Sequence, residues 1–136
     1  MNGWAGKILR VDLSKNSYTV EDLNPVLAKQ FIGGRGLAVK LLYDEGVAAV
    51  DPLGPENKLV FGVGPLTGTR AVASSRYIVA TKSPLTGAIA YSNSGGAFGA
   101  RMKEAGYDLI VFEGKAPEPV YLDLIATDVR IRKTPY

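Results

Sequence analysis

Glycine and proline segments cut this chain into short pieces, and this restricts its fold to one built mainly from short strands. There are 16 glycines and 8 prolines in 136 residues. The tetrapeptide Pro-Leu-Thr-Gly occurs twice, at 65–68 and 84–87. In each copy proline presets φ and glycine supplies a positive φ, which predicts a tight turn. Lys82, just before the second copy, is interpreted as a solvated turn residue.

The apolar pattern predicts about eight strands. Residues 7–13 alternate polar and apolar side chains and form a hairpin with residues 18–22. The other predicted strands are 58–63, 74–81, 88–92, 108–112, 119–124 and 129–131. Because the strands come in runs, the pattern indicates an α+β fold that is β-rich, with mostly antiparallel sheets and two helices.

The first predicted helix begins after Asn24-Pro25, and its apolar periodicity continues to Leu42. The segment Gly33-Gly34-Arg35-Gly36 interrupts this periodicity. Each helical glycine costs about 1 kcal/mol relative to alanine. We therefore expect either a break in the helix or the close approach of another backbone, with Arg35 facing whatever approaches. The second helix follows residue 97 and ends at Gly106.

The composition excludes several chemistries. The chain has no cysteine and no histidine. It therefore supplies no disulfide, no thiolate ligand for an iron–sulfur cluster and no imidazole base. Any metal would be a hard cation held by oxygen atoms.

Charge and hydropathy predict a cytoplasmic protein that binds neither nucleic acid nor membrane. The formal net charge is +3, and the basic residues are scattered rather than gathered on a dense face. No apolar run reaches the length of a membrane span, and the first residues do not resemble a secretory signal.

Residues Asn93-Ser94-Gly95-Gly96 form the candidate binding site. They follow an apolar strand and precede a helix, so the glycines leave backbone N–H groups open to an incoming group. A phosphate fits such a segment. The alternative is that Asn-Ser-Gly-Gly is only a helix N-cap with a flexible lead-in.

Several motifs occur in one order along almost the whole chain, from residue 3 to about residue 132. They are residues 3–14, 33–38, 55–60, 64–69, 75–77, 81–87, 93–96 and 105–108. Together they resemble the N-terminal domain of the tungsten-containing aldehyde ferredoxin oxidoreductases.

The resemblance implies an activity and a set of cofactors. These enzymes oxidise aldehydes to carboxylic acids with water as the oxygen source, and pass electrons through a [4Fe-4S] cluster to ferredoxin. Their tungsten is held by the dithiolenes of two pterins (a tungsten bis-pterin, of the molybdopterin type), and Mg²⁺ bridges the pterin phosphates. The domain resembled here is the platform on which this cofactor lies.

The resemblance also implies roles for individual residues. Asn93 would offer its main-chain carbonyl to the magnesium ion, and Gly95 its N–H to a phosphate, with Ser94 and Gly96 in the same cofactor-binding loop. Arg76 would reach a pterin between cofactor and cluster. Taken alone, Arg76 could instead pair with a carboxylate at the sheet edge. Arg35 would either support the glycine break or contact the cofactor.

Residues 1–136 are therefore expected to be one domain, incomplete as an enzyme and inactive alone. Its expected partners are the remainder of the enzyme or a complementary chain, and ferredoxin; a homodimer is compatible with it. Two alternatives stay open. One is a non-catalytic module that keeps this fold and binds a partner or a phosphorylated ligand, and the other is a phosphate- or nucleotide-binding domain with a superficial likeness.

Overall fold

A computed structural model describes residues 3–125 and 128–135, which form a six-stranded sheet, a separate hairpin and three α-helices. The strands are β1 Lys7–Asp12, β2 Ser17–Asp22, β3 Leu59–Val63, β4 Tyr77–Lys82, β5 Ile89–Ser94, β6 Leu109–Glu113, β7 Val120–Ile125 and β8 Asp128–Lys133. The helices are α1 Pro25–Phe31, α2 Gly34–Asp44 and α3 Phe98–Glu104, and a 3₁₀ turn spans Val47–Ala49. The α+β prediction with eight strands is confirmed.

The large sheet has the strand order β2-β1-β6-β3-β4-β5. Strands β1 and β6 run parallel, and every other neighbouring pair is antiparallel. Strands β7 and β8 pair only with each other within the described residues. The mostly antiparallel prediction is therefore confirmed, with one parallel pair that makes the sheet mixed.

The sheet has an apolar core on each face. Helices α1 and α2 cover one face, where Ala38 and Leu42 meet strand residues such as Val60 and Val111. Helix α3 and the β7–β8 hairpin cover the other face, where Met102 packs with Leu9, Val11 and Ile110. Side chains alternate between the faces of a strand, so this three-layer packing requires nearly continuous apolar runs in the central strands.

The number of helices differs from the prediction of two, because the glycine segment divides the first one. Helix α1 ends at Phe31 and α2 begins at Gly34. Between them Ile32 has φ 65° and ψ −62°, and the N–H of Gly33 donates to the carbonyl of Phe31 at 2.7 Å. These angles and this bond define a γ-turn, which is a strained conformation for a β-branched residue.

Close approach of another backbone also occurs at this break. A Cβ atom on Gly33 would lie 2.9 Å from the carbonyl oxygen of Val63 and 3.0 Å from Cα of Gly64. Only glycine therefore allows α2 to begin against the end of β3. The indole Nε1 of Trp4 donates to the carbonyl of Ile32 at 2.6 Å and holds the break from outside.

Two strand boundaries near the candidate site differ from the prediction. Strand β4 begins at Tyr77 instead of residue 74, because the preceding loop closes on itself: the N–H of Gly68 donates to the carbonyl of Ser74 at 2.9 Å. Strand β5 continues to Ser94 instead of ending at residue 92, so Asn93 and Ser94 lie in a strand. Of the helices found in residues 3–125 and 128–135, none has both the length and the hydrophobicity that a bilayer crossing requires.

Candidate functional site

One end of the large sheet brings together the glycine segments singled out in the sequence. Val63 of β3 pairs with Tyr77 of β4, and Tyr77 pairs with Ser94 of β5. The residues just beyond these positions, which are Gly64, Arg76 and Gly95, therefore lie side by side. We call this region the glycine end, comprising residues 33–36, 64–68, 76 and 93–96.

The main-chain carbonyl of Asn93 points to the open edge of the sheet. Bonded and non-bonded residue pairs alternate along an antiparallel ladder. The N–H of Val63 donates to Asp108, on the side away from β4. By alternation, Tyr77 bonds to Ser94, and Asn93 directs its N–H and carbonyl away from β4. Strand β5 is the last strand of the sheet in the described residues, so this carbonyl is available to a ligand.

Within the described residues, neither backbone angle nor packing requires glycine at Gly95 or Gly64. Neither has a φ in the left-handed region. A Cβ on Gly95 would have no atom within 4 Å, and one on Gly64 would meet only the Thr67 hydroxyl, at 3.8 Å. Every other glycine of the described chain has either a positive φ or a close neighbour. The two glycines that the fold does not require thus lie on either side of Arg76.

The N-cap interpretation of Asn93-Ser94-Gly95-Gly96 is wrong. Helix α3 starts at Phe98, its N-cap is Ala97, and no side chain caps it. Asn93 and Ser94 belong to β5, and Gly96 has φ 82°, which turns the chain from the strand to the helix. Since α3 has only seven residues, the case for anion binding rests on the strand edge and the open glycines rather than on a helix terminus.

Arg76 lies in the connection before β4 and its side chain is exposed. Among residues 3–125 and 128–135, no hydrogen bond or ion pair uses its guanidinium. The alternative in which Arg76 pairs with a carboxylate at the sheet edge is therefore wrong for this part of the chain. Its main-chain carbonyl accepts a hydrogen bond from the hydroxyl of Thr67 at 3.2 Å.

Arg35 extends from the first turn of α2 to strand β5. Its Nη1 donates to the hydroxyl of Tyr91 at 2.5 Å, and its Cζ lies 4.7 Å from the centre of the Tyr91 ring. Tyr91 and Asn93 lie on the same face of β5, because side chains two residues apart share a face. Arg35 thus links α2 to the strand that carries Asn93.

The glycine end is electropositive. Its segments contain Arg35 and Arg76 and no aspartate or glutamate. Within the described residues, no group of three histidine, cysteine, aspartate or glutamate side chains is arranged to hold a metal ion. A cation here would have to be held by main-chain oxygens and by the ligand itself.

A buried ion pair beneath the glycine end was missed by the sequence analysis. Asp108 is fully buried and accepts hydrogen bonds from the N–H groups of Ala5, at 3.1 Å, and Gly6, at 2.6 Å. The ammonium of Lys103 donates to Asp108 at 2.5 Å and to the carbonyl of Gly64 at 3.2 Å. An aspartate directly before an apolar strand was the available signal, since buried carboxylates need such partners.

A second charged cluster lies away from the glycine end and has a structural role. Arg10 donates to Glu21, Glu45 and Glu113, and Lys58 donates to Glu45. Burial alone would raise the pKa of Glu45, but hydrogen bonds from Arg10 and Lys58 outweigh it and lower that pKa below its ordinary value. The cluster ties β1, β2, β6 and the end of α2 together.

Comparison with known proteins identifies the family of this chain. The sequence model of the family described as "Aldehyde ferredoxin oxidoreductase, N-terminal domain" matches residues 8–135. The chain belongs to this family. The motif-based resemblance over residues 3 to about 132 is thereby confirmed.

Individual relatives of the family match nearly the whole chain. A tungsten-containing aldehyde ferredoxin oxidoreductase of Pyrococcus furiosus is 53% identical over 132 residues, which are 97% of this chain and 22% of the relative. The WOR-like subunit of an aliphatic sulfonate oxidoreductase of the same organism is 38% identical and is matched over 21% of its length. The chain therefore spans about a fifth of the length of these relatives.

A solved structure shows the same fold. The active-site complex BamBC of benzoyl coenzyme A reductase, in complex with 1,5-dienoyl-CoA, superposes with a TM-score of 0.94 at 41% identity. The match covers 97% of this chain and 20% of that one. Family members with differently named substrates thus share this domain.

Proposed function

We propose that this chain is the cofactor-binding N-terminal part of a tungsten-pterin oxidoreductase that oxidises aldehydes to carboxylic acids with ferredoxin as electron acceptor. The observation that carries the proposal is the glycine at position 95, which the fold does not require. The φ of Gly95 lies outside the left-handed region, and within the described residues no atom would contact an added Cβ. A ligand that lies close to the main chain at Gly95 would explain why this position has no side chain.

The residues at the glycine end fit the phosphate part of such a cofactor. By the same alternation, extended one residue past β5, the N–H of Gly95 points to the same edge as the carbonyl of Asn93. One edge thus offers a hard oxygen to Mg²⁺ and an N–H donor to a phosphate oxygen. Ser94 lies between these two residues and Gly96 follows them in the chain, and we assign both to the same cofactor-binding segment.

Arg76 and Arg35 supply positive charge to an anionic cofactor. The guanidinium of Arg76 is planar, exposed and unpaired within the described residues, so its donors are available to a heterocycle or a phosphate. Arg35 has one donor on Tyr91, and within the described residues its other donors have no hydrogen-bond partner and are available to the same ligand. The tungsten bis-pterin, when bound, supplies the redox centre, and this chain's residues bind and orient it.

Aldehydes are the favoured substrates because identity is higher to the relative named for aldehyde oxidation, at 53%, than to the sulfonate relative, at 38%. We favour tungsten over molybdenum because the same relative is named as tungsten-containing. Since the chain spans 22% of that relative, the cluster ligands and the aldehyde pocket are assigned to the remainder of the enzyme or to a complementary chain.

The proposal is tested with a chimera in which this chain replaces the matching 132 residues of the Pyrococcus furiosus aldehyde ferredoxin oxidoreductase. We expect the chimera to retain tungsten and pterin, measured by elemental analysis and pterin fluorescence, and to reduce viologen with an aldehyde. The 136-residue chain alone is expected to be inactive in the same assay. A folded chimera without tungsten would instead support a non-catalytic module.

Two alanine variants separate cofactor binding from stability. Gly95→Ala adds a Cβ in open space at an ordinary φ, so it should leave the melting temperature of the chain unchanged and remove tungsten from the chimera. Gly46→Ala, away from the glycine end at φ 69°, should lower the melting temperature and leave the tungsten content intact. Full tungsten content in the Gly95→Ala chimera would contradict the assignment.

A further inference from the structure

We propose that Thr67 is a positioning residue that fixes the main chain of Arg76 and thereby aims the Arg76 guanidinium at the phosphate-bearing ligand. This inference rests on the proposed function of the glycine end. Thr67 itself is nearly buried, at 6% exposure, and so acts through Arg76 rather than on the ligand.

The hydroxyl of Thr67 connects the end of β3 to the residue before β4 through two hydrogen bonds. It accepts a hydrogen bond from the N–H of Gly64 at 3.1 Å and donates one to the carbonyl of Arg76 at 3.2 Å. Gly64 follows β3 and Arg76 precedes β4, so a single side chain ties the end of β3 to the residue that carries the exposed guanidinium. Both hydrogen-bonding roles need an O–H group, which valine lacks and serine retains.

The bridge is anchored in the core. The carbonyl of Gly64 accepts from the N–H of Thr67 at 3.1 Å and from the ammonium of Lys103 at 3.2 Å. Lys103 in turn donates to the buried Asp108. A continuous set of hydrogen bonds therefore runs from a fully buried carboxylate to the main chain of Arg76, and buried networks of this kind restrict motion.

Helix α3 holds the same segment from the other side. A Cβ on Gly99 would lie 2.8 Å from the carbonyl oxygen of Ser75 and 3.3 Å from that of Arg76. The main chain of Arg76 is thus confined between Thr67 and α3 while its side chain stays exposed. A ligand-contacting side chain gains affinity when its main chain is fixed in this way, because less freedom is lost on binding.

The test compares Thr67→Val with Thr67→Ser in the full 136-residue chain. Thr69→Val is the matched control, because Thr69 donates to Leu66 in the same loop and makes no bond to Arg76. The probe is inorganic pyrophosphate, and its dissociation constant is measured by NMR titration of the Arg76 and Gly95 amides. The melting temperature of every variant is recorded in parallel.

We expect Thr67→Val to raise the dissociation constant for pyrophosphate about fivefold to tenfold, as the loss of the hydrogen bond to the Arg76 carbonyl predicts. Thr67→Ser and Thr69→Val should stay within about twofold, which is below that loss. In an Arg76→Ala background the effect of Thr67→Val on pyrophosphate binding should vanish, although its effect on melting temperature persists. A role in loop stability alone would not produce this dependence on Arg76.

Three results would overturn the inference, and the third is distinguishable from the first two. If the unmodified chain binds pyrophosphate and Thr67→Val binds it as well as Thr67→Ser does, the positioning role fails and the proposed function stands. An effect of equal size in the Arg76→Ala background would refute the positioning role in the same way. If the unmodified chain shows no pyrophosphate-dependent shifts at Arg76 or Gly95, the phosphate site itself is wrong, and the inference that rests on it falls.

Discussion

The main-chain N–H of Gly6 donates to the carboxylate of Asp108 at 2.6 Å and joins two residues 102 positions apart. Asp108 is fully buried, and Lys103, 13% exposed, is its charged partner. Asp108→Asn would leave the Lys103 ammonium without a counter-charge. We expect the free energy of unfolding to fall by about 3 kcal/mol, measured by urea denaturation.

Asp22→Asn is the matched control for Asp108→Asn. Asp22 pairs with Lys7, but its side chain is 85% exposed. Water replaces that partner, so the expected loss is below about 0.5 kcal/mol. Equal losses in the two variants would show that burial does not set the strength of the Lys103–Asp108 pair.

Lys82→Met should destabilise the chain, because the solvated-turn interpretation of Lys82 is wrong. Lys82 ends strand β4, and its ammonium donates to the carbonyls of Ala48 at 2.8 Å and Val50 at 2.7 Å. We expect a loss of about 1–2 kcal/mol in thermal or urea unfolding. Lys115→Met, at an exposed position, should change stability by less than about 0.5 kcal/mol. Indistinguishable losses in the two variants would mean that the Lys82 ammonium contributes no more than a solvated one.

The structural features that could be predicted from the sequence are those that depend on residues close together in the chain. The eight strands are visible because alternation and turn chemistry are local, and the segment from Asn93 to Gly96 is visible because its glycines are adjacent. Strand order is not local: β1 pairs with β6, and nothing within either segment indicates the other. The close approach of another backbone at Gly33 could be expected, but for the same reason the identity of that backbone as the end of β3 could not, nor could the partners of Asp108. The roles of the site residues stay predictions.

Glu45→Gln should reduce the sensitivity of the chain to acid. Burial raises the pKa of Glu45, but hydrogen bonds from Arg10 and Lys58 outweigh it and hold that pKa below its ordinary value in the folded chain. A lowered pKa stabilises the fold above the unfolded-state pKa, and this stabilisation is lost as pH falls through the folded-state value. We therefore expect stability to fall less steeply below about pH 4.5 in Glu45→Gln than in the unmodified chain.

Urea denaturation at several pH values measures this difference. At neutral pH Glu45→Gln should already be less stable, because Arg10 and Lys58 lose a charged partner. Glu104→Gln, whose side chain is 58% exposed, is the control and should parallel the unmodified chain. Parallel curves for Glu45→Gln would refute the role assigned to the cluster.

Ile32→Gly should stabilise the chain, contrary to the usual effect of glycine. A φ of 65° strains isoleucine by about 1–3 kcal/mol, whereas glycine adopts it freely and costs about 0.5–1 kcal/mol in entropy. The side chain is 62% exposed, so its removal forfeits little burial. We expect a net gain of about 1 kcal/mol in urea unfolding. Ile32→Ala keeps a Cβ and should show no gain; a gain equal to that of glycine would exclude backbone strain.

Arg76→Ala should remove the cofactor from the chimera while the fold is kept. The strand that follows Arg76 carries the packing through Ile78 and Ala80, and the guanidinium itself is exposed. In the loaded enzyme, stranded anionic acceptors would cost about 2–4 kcal/mol where the contact is desolvated. Tungsten content and ferredoxin-linked activity are the measurements. Arg101→Ala, on the surface of α3, is the control. Full cofactor and activity in Arg76→Ala would make Arg76 a structural residue.

Strand β6 has β1 on one side and β3 on the other, and this order has a consequence for synthesis on the ribosome. The β1–β2 hairpin and the β3–β4–β5 meander are both translated before residues 109–113. Until those residues emerge, each half of the sheet keeps an unpaired edge, and such edges associate readily with other chains. The interval between translation of β5 and of β6 therefore leaves exposed the two strand edges that β6 pairs in the complete sheet.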